Sequence, residues 1–211
     1  ELHRRSFDEG RGHDYYYRFP VSEGIQTEHS ALEVDNCELA GWSHAAVHLR
    51  SGRDHHVHHN FIHHNQRQGL GYGVCLNTAF ALIEQNLFDW NRHSIAGSGE
   101  PPSGYEARNN VEVRHSLSHC FDMHGGRDRQ DGTDIAGTEI LIHHNTFRGP
   151  SRAVCIRGVP QQRAEIHHNW LCAPCPEPFR HCGGADVHHN AVGHKDPTWE
   201  APAPQPEGGP A

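Results

Sequence analysis

Methionine and lysine are nearly missing from this chain of 211 residues, which holds one of each, Met123 and Lys195. With 22 glycines and 23 histidines beside them, the composition suits many short strands and turns and argues against long helices. A basic excess is lacking too. Lys and Arg number 18 against 26 Asp and Glu, a net charge of −8 with histidine neutral, which argues against a nucleic-acid backbone as the main partner. No apolar run approaches the roughly 20 residues of a membrane-crossing helix, so no membrane span is expected. The length accommodates one ordinary or elongated domain with its own core.

What is abundant is histidine, and it comes in a pattern. Val57 to Asn65 reads VHHNFIHHN, with two His-His-Asn triplets five residues apart. The frame "aliphatic, polar, polar, Asn, any, aliphatic" recurs as VDNCEL, VHHNFI, IEQNLF, VRHSLS, IHHNTF, IHHNWL and VHHNAV. Its fourth positions are Cys37, Asn60, Asn86, Ser116, Asn145, Asn169 and Asn190, at spacings of 23, 26, 30, 29, 24 and 21. This period is that of one turn of a β-solenoid. Coils would stack at the strand spacing of about 4.8 Å, so equivalent residues form columns. An Asn at each tight turn tolerates left-handed backbone and can bond to the Asn above and below, making a ladder. The triplets thus mark turns. The expected fold is all-β: a single right-handed parallel β-helix of about seven coils over residues 31–194. Residues 1–30 read as an N-terminal cap or incomplete coil and the Pro- and Gly-rich residues 195–211 as a tail. The chain opens within structured-looking sequence and reads as a mature form or a fragment. Thin caps would leave the solenoid ends open to homo-oligomer formation.

A second set of strands aligns as Val47–Arg50, Val74–Asn77, Ile95–Ser98, Phe121–His124 and Val154–Arg157. Alternation sends Val47, Val74, Ile95, Phe121 and Val154 into the core with Leu49, Leu76, Gly97, Met123 and Ile156. The outward columns read His48, Cys75, Ala96, Asp122, Cys155 and Arg50, Asn77, Ser98, His124, Arg157, preceded by Ala45, Tyr72, His93, His119, Arg152. Small residues beside Tyr, His, Asp and Arg suggest the floor of a groove. The segments SGEPPSGYEARNN and HGGRDRQDGTDIAG follow these strands in the two longest repeats and are expected to wall it.

At this point the chain resembles right-handed parallel β-helix proteins, the group that includes pectate lyase-like enzymes and uronate epimerases. Within the groove HCFDMH, His119 to His124, is similar to the YGFDPH motif of mannuronan C5 epimerases. Phe121, Asp122 and His124 match; His119 stands in place of that family's catalytic tyrosine, Met123 in place of the proline and Gly125 in place of a terminal acid. The resemblance implies a carbohydrate-active enzyme working on an acidic polysaccharide outside the cytoplasm: secreted, periplasmic or at the cell surface. Abstraction of the proton α to a uronate carboxylate needs a base and groups that stabilise an enolate-like intermediate. His124 is the expected base or acid, Asp122 its orienting or substrate-contacting partner, and Arg157 and Arg152 the cations. His119, His93 and Tyr72 are candidates for the second proton-transfer group, and Asn77, Arg50 and His48 for substrate binding. Reprotonation gives an epimer and elimination a lyase product. One groove acid, without a facing carboxylate, disfavours a hydrolase. The reading from another class is a non-catalytic β-helix that binds glycan, metal or copies of itself.

No cofactor is expected and no metal ligand is assigned; a divalent metal shared by the column His143, His167 and His188 is the alternative. Asp128, Asp131 and Asp134 read as a solvated loop, since calcium-loop spacing is lacking. Of seven cysteines, only Cys172, Cys175 and Cys182 are close enough in sequence for a local bridge or metal site.

Overall fold

The protein is described by a computed structural model covering residues 20–67, 69–181 and 184–193. The described chain winds as a parallel β-solenoid, every strand pair being parallel and nearly every one joining consecutive coils. Seven coils each contribute three faces. The first face carries Glu23–Thr27, the start of Ala45–His58, the start of Tyr72–Glu84, then His93–Gly97, Phe121–Met123, Val154–Ile156 and Phe179–His181. The strands Ala45–His58 and Tyr72–Glu84 are long because they bend round a corner and supply the second face as well. Glu139–His143, Arg163–His167 and Asp186–His188 continue that second face, and the third is a separate seven-stranded sheet from Glu38–Ala40 to Ala191–Val192. No helix among the described residues is long and apolar enough to cross a membrane.

The corner between the second and third faces explains the triplets. The left-handed residue is the one before the ladder position: His59, Gln85, Asn109, His144, His168 and His189 all have φ between 53° and 56°. Histidine is among the few non-glycine types enriched there. Within a doublet the two rings share a hydrogen bond between their Nδ1 atoms, at 2.7 Å in His58–His59 and 2.8 Å in His167–His168. The Asn that follows points inward. Asn60, Asn86, Asn110, Asn145, Asn169 and Asn190 form one ladder, each Nδ2 donating to the next Oδ1 at 3.0–3.1 Å. The same oxygen accepts the backbone N–H of the preceding ladder Asn, and the same Nδ2 reaches a second-face carbonyl such as Ala107 O. The second triplet of VHHNFIHHN lies at the next corner, where Asn65 donates to Asn91 at 2.8 Å. The expected column of His143, His167 and His188 also forms, with rings stacked 4.9 and 5.0 Å apart.

One ladder position is corrected. Asn110, not Ser116, carries the rung between Asn86 and Asn145. SGEPPSGYEARNN is accordingly no inserted wall: it holds the second-face strand Gly104–Arg108 and the corner Asn109-Asn110. The true insertion is residues 124–138, with the short helix Gly126–Arg129. Here Asp128 accepts the N–H of Gly125 and pairs with Arg157, Asp131 is bonded by Thr133 and Arg129, and Asp134 faces Arg127, so the acidic loop is spent on local partners.

The inward column of the third face runs Ile62, Phe88, Glu112, Phe147 and Leu171 in direct register. Glu112 is the anomaly, a buried carboxyl that makes no well-formed hydrogen bond among the described residues, Ser94 being the hydroxyl beside it. Burial pushes it up to about 8, with Ser94 opposing and Asp89 adding. Of the cysteines, Cys75, Cys120 and Cys155 are buried thiols, Cys37 is exposed, and Cys182 lies outside the described residues.

Asn145→Ala would strip acceptors from Asn110 and donors from Ala107 O and Asn169, each orphan costing about 1–3 kcal/mol. Denaturant unfolding should show a loss of at least about 3 kcal/mol; an unchanged midpoint would contradict the ladder's role. A carboxyl raised on folding holds its proton in the native state, so stability must fall as pH rises from its ordinary value of 4.5 towards 8. Thermal unfolding of Glu112→Gln should therefore gain most over wild type above pH 8 and least near pH 4.5.

Candidate functional site

The first-face columns stand in the register that alternation requires. Val47, Val74, Ile95, Phe121 and Val154 are consecutive partners, as are His48, Cys75, Ala96, Asp122 and Cys155. Gly97 interrupts the inward column for a reason: a Cβ there would stand 2.5 Å from Met123 Sδ, so the glycine makes room for the chain's lone methionine.

Asp122 is the electrostatic centre of this face and is wholly buried. Arg157, one coil on, grips both its oxygens, with Nε 3.2 Å from Oδ1 and Nη2 2.6 Å from Oδ2, and sends Nη1 to Asp128 at 3.1 Å. His119 Nε2 lies 3.0 Å from Oδ1 and His124 Nε2 3.1 Å from Oδ2. Burial alone would raise this carboxyl, but the imidazoles of His119 and His124 beside it hold it well below its ordinary value. With Arg157, His119 and His124 about it and no exposed surface, Asp122 serves to orient rather than to contact a ligand. That carboxylate, 3.1 Å away, favours the tautomer of His124 with its proton on Nε2 and so with a lone pair on Nδ1, which lies 3.9 Å from Asp128.

Above this knot lies a cavity of about 220 Å³. His124, Tyr72 and Asn77 of the expected residues line it, together with His44, Ser98 and Arg129. Tyr72 donates to Gly69 O at 2.9 Å, and burial pushes its phenol up to about 12, so it keeps its proton at neutral pH. Arg129 is held by Ser98 O and Ile135 O at 3.0 Å each and by Asp131 at 2.8 Å. Two larger cavities, of about 450 and 430 Å³, open elsewhere; Arg53 and Glu139 line one and Glu28, His29 and Arg50 the other.

The remaining expected residues divide. His93 and His119 stack 3.9 Å apart behind Tyr72, whose ring lies 5.9 Å from His93. His93 donates from Nδ1 to His119 O, and burial first, then His119 and Arg92, lower it to about 3 against the pull of Asp122. It is a neutral packing group. Arg152 pairs with Glu177 at 2.6 Å and does not line the cavity. Arg50 binds Glu23 and Gln26, and buried His48 lies between Glu23 and Asn77. Glu23, His44 and Arg129 escaped the sequence reading. Extending the inward column back one coil pairs Ile25 with Val47 and so brings Glu23 beside Ala45, a signal that was present. Arg129 sits in a non-periodic insertion, where no column points to it.

No protein-family model matches the chain, and no curated protein or solved structure is significantly similar to it. The class defined here is thus architectural, a parallel β-solenoid with an Asn ladder, a fold compatible with polysaccharide-active enzymes and with structural modules alike.

Asp122→Asn should cost about 1–3 kcal/mol, because an amide turns a donor towards Arg157 in the buried layer while Arg157 keeps Asp128. A carboxyl lowered on folding stabilises above its ordinary value of 3.8 and loses that contribution as pH falls below it. The gap between wild type and Asp122→Asn in thermal unfolding should consequently narrow below pH 4.

Proposed function

We propose that this solenoid is a carbohydrate-active enzyme which abstracts the C5 proton of a uronate residue in an acidic polysaccharide. The observation that carries the reading is the oriented Asp122–His124 pair at the wall of a cavity that also holds Tyr72 and Arg129. His124 Nδ1 takes the proton, and the negative charge that spreads onto the uronate carboxylate is stabilised by Arg129 and the amide of Asn77. Tyr72, which keeps its proton at neutral pH, is the donor. Delivered to C5 from the opposite face, that proton yields the epimer. Delivered to the departing O4 as the C4–O4 bond breaks, it yields an unsaturated lyase product. A hydrolase is disfavoured on the same ground as before: among the described lining residues there is no carboxylate at all. The stacked imidazoles of His143, His167 and His188 favour the second reading, a solenoid whose surface binds without catalysis.

Acidic polysaccharides should produce a rise in ultraviolet absorbance if the product is unsaturated, or a changed anomeric NMR pattern if it is epimerised. His124→Ala should lower the rate at least a hundredfold, in line with the loss of one general base. Equal rates for His124→Ala and wild type would remove His124 from the mechanism.

A further inference from the structure

Among the described residues, three groups of His and carboxylate ligands lie close enough to share an ion: His93, His119 and Asp122; Glu33, His56 and His58; and Glu23, His44 and His48. A metal must lie in the plane of each imidazole, along its lone pair. His93 and His119 are stacked at 3.9 Å and 27°, and His56 and His58 at 3.8 Å and 30°, so neither pair can aim both lone pairs at one nearby point. Asp122 is moreover already gripped by a guanidinium.

The third group differs. The rings of His44 and His48 meet edge to face at 72°, with centroids 4.9 Å apart. Both Nδ1 atoms converge on the same oxygen, Glu23 Oε1, at 2.6 and 2.8 Å. Donors bound at about 2.1 Å around a tetrahedral or octahedral ion stand about 3.0–3.4 Å apart, so an opening of a few tenths of an ångström would admit one. His48 Nε2 lies 3.2 Å from Asn77 Oδ1, the outer-shell contact that places the proton on Nε2 and frees Nδ1 for coordination. Two Nδ1 atoms that meet one carboxylate oxygen at 2.6 and 2.8 Å place a positive centre there, a proton on each nitrogen or a metal ion in place of those protons. Arg50 Nη2 contacts both carboxylate oxygens, at 3.2 Å on Oε2 and 3.4 Å on Oε1, from a side chain 41% exposed, and an entering ion would displace it towards solvent.

We propose that Glu23, His44 and His48 form a binding site for a divalent first-row transition ion, with two imidazoles and one carboxylate on one side and the remaining positions open towards the cavity that His44 lines. Burial first, and then His48, hold His44 below the ordinary histidine value, which keeps it a neutral ligand at pH 7. Cys75 lines the same cavity but does not belong to the group of ligand atoms that converge there. The donor set suits zinc, iron or cobalt rather than calcium or magnesium, which take oxygen.

The test is a titration of metal-stripped full-length protein with Co²⁺, followed by visible absorption and calorimetry, with Zn²⁺ as competitor. One tight equivalent is expected. Glu23→Gln and His44→Ala should each weaken it at least tenfold, and Asn77→Ala about tenfold. The double variant His143→Ala/His167→Ala should lose only weaker, later equivalents. If Glu23→Gln misfolds by circular dichroism, His44→Ala alone decides. A first equivalent bound as tightly by His44→Ala as by wild type overturns the site, and so does its loss in the corner double variant. Neither outcome depends on the sugar chemistry proposed above, because no substrate is present.

Discussion

The amide ladder at the second corner is the constraint on which everything else rests. The interior rungs Asn86, Asn110, Asn145 and Asn169 use both hydrogens and both lone pairs of the side chain on neighbours one coil away or on their own corner. Such a saturated network in a low-dielectric interior tolerates one register only, because a coil shifted by one residue would leave several buried polar groups unpaired. The corners are thereby locked vertically. Fixed corners set the phase of the first face, and this brings Arg157 under Asp122 and Tyr72 under His93 although long stretches of chain separate each pair.

The two buried carboxyls show how the same stacking gives opposite electrostatics. Asp122 projects away from the core into a layer of cationic and imidazole groups supplied by its own coil and the next, and it stays ionised. Glu112 projects into an aromatic column, makes no well-formed hydrogen bond among the described residues, and is held protonated well above its ordinary range. On the first face the arginines are largely committed: Arg157 to Asp122, Arg152 to Glu177, Arg50 to Glu23. The cavity beside them is lined by side chains that are held as well, Tyr72 by Gly69 O and Arg129 by Ser98 O and Ile135 O, while Asp122 faces one nitrogen of His124 from below.

Much of this was legible because stacking is periodic. The columns through Val47 and His48 follow from alternation and spacing alone, and the structure keeps them residue for residue. The misread rung has a physical cause. At Ala107-Arg108-Asn109-Asn110-Val111-Glu112 a small alanine takes the aliphatic place and a glutamate the inward one, so the true repeat is disguised. Val113 to Ser118 keeps the aliphatic first place and the two polar ones while lying in the loop beyond the third-face strand. A hydrophobic-pattern argument is weakest where the core itself carries a polar residue.

Sequence by itself determined the architecture, the phase of the first face and the choice of histidine at the corners. All three depend on backbone geometry repeated every coil, which a linear pattern records. Tertiary structure alone decided that Asp122 is sealed off and that Arg152 turns away from the cavity. It also decided that Arg129 reaches the carbonyl of Ser98 from an insertion, and that His44, His48 and Glu23 meet on one oxygen. Those outcomes depend on side-chain direction and on aperiodic loops, whose packing follows from the whole surface around them rather than from any repeat.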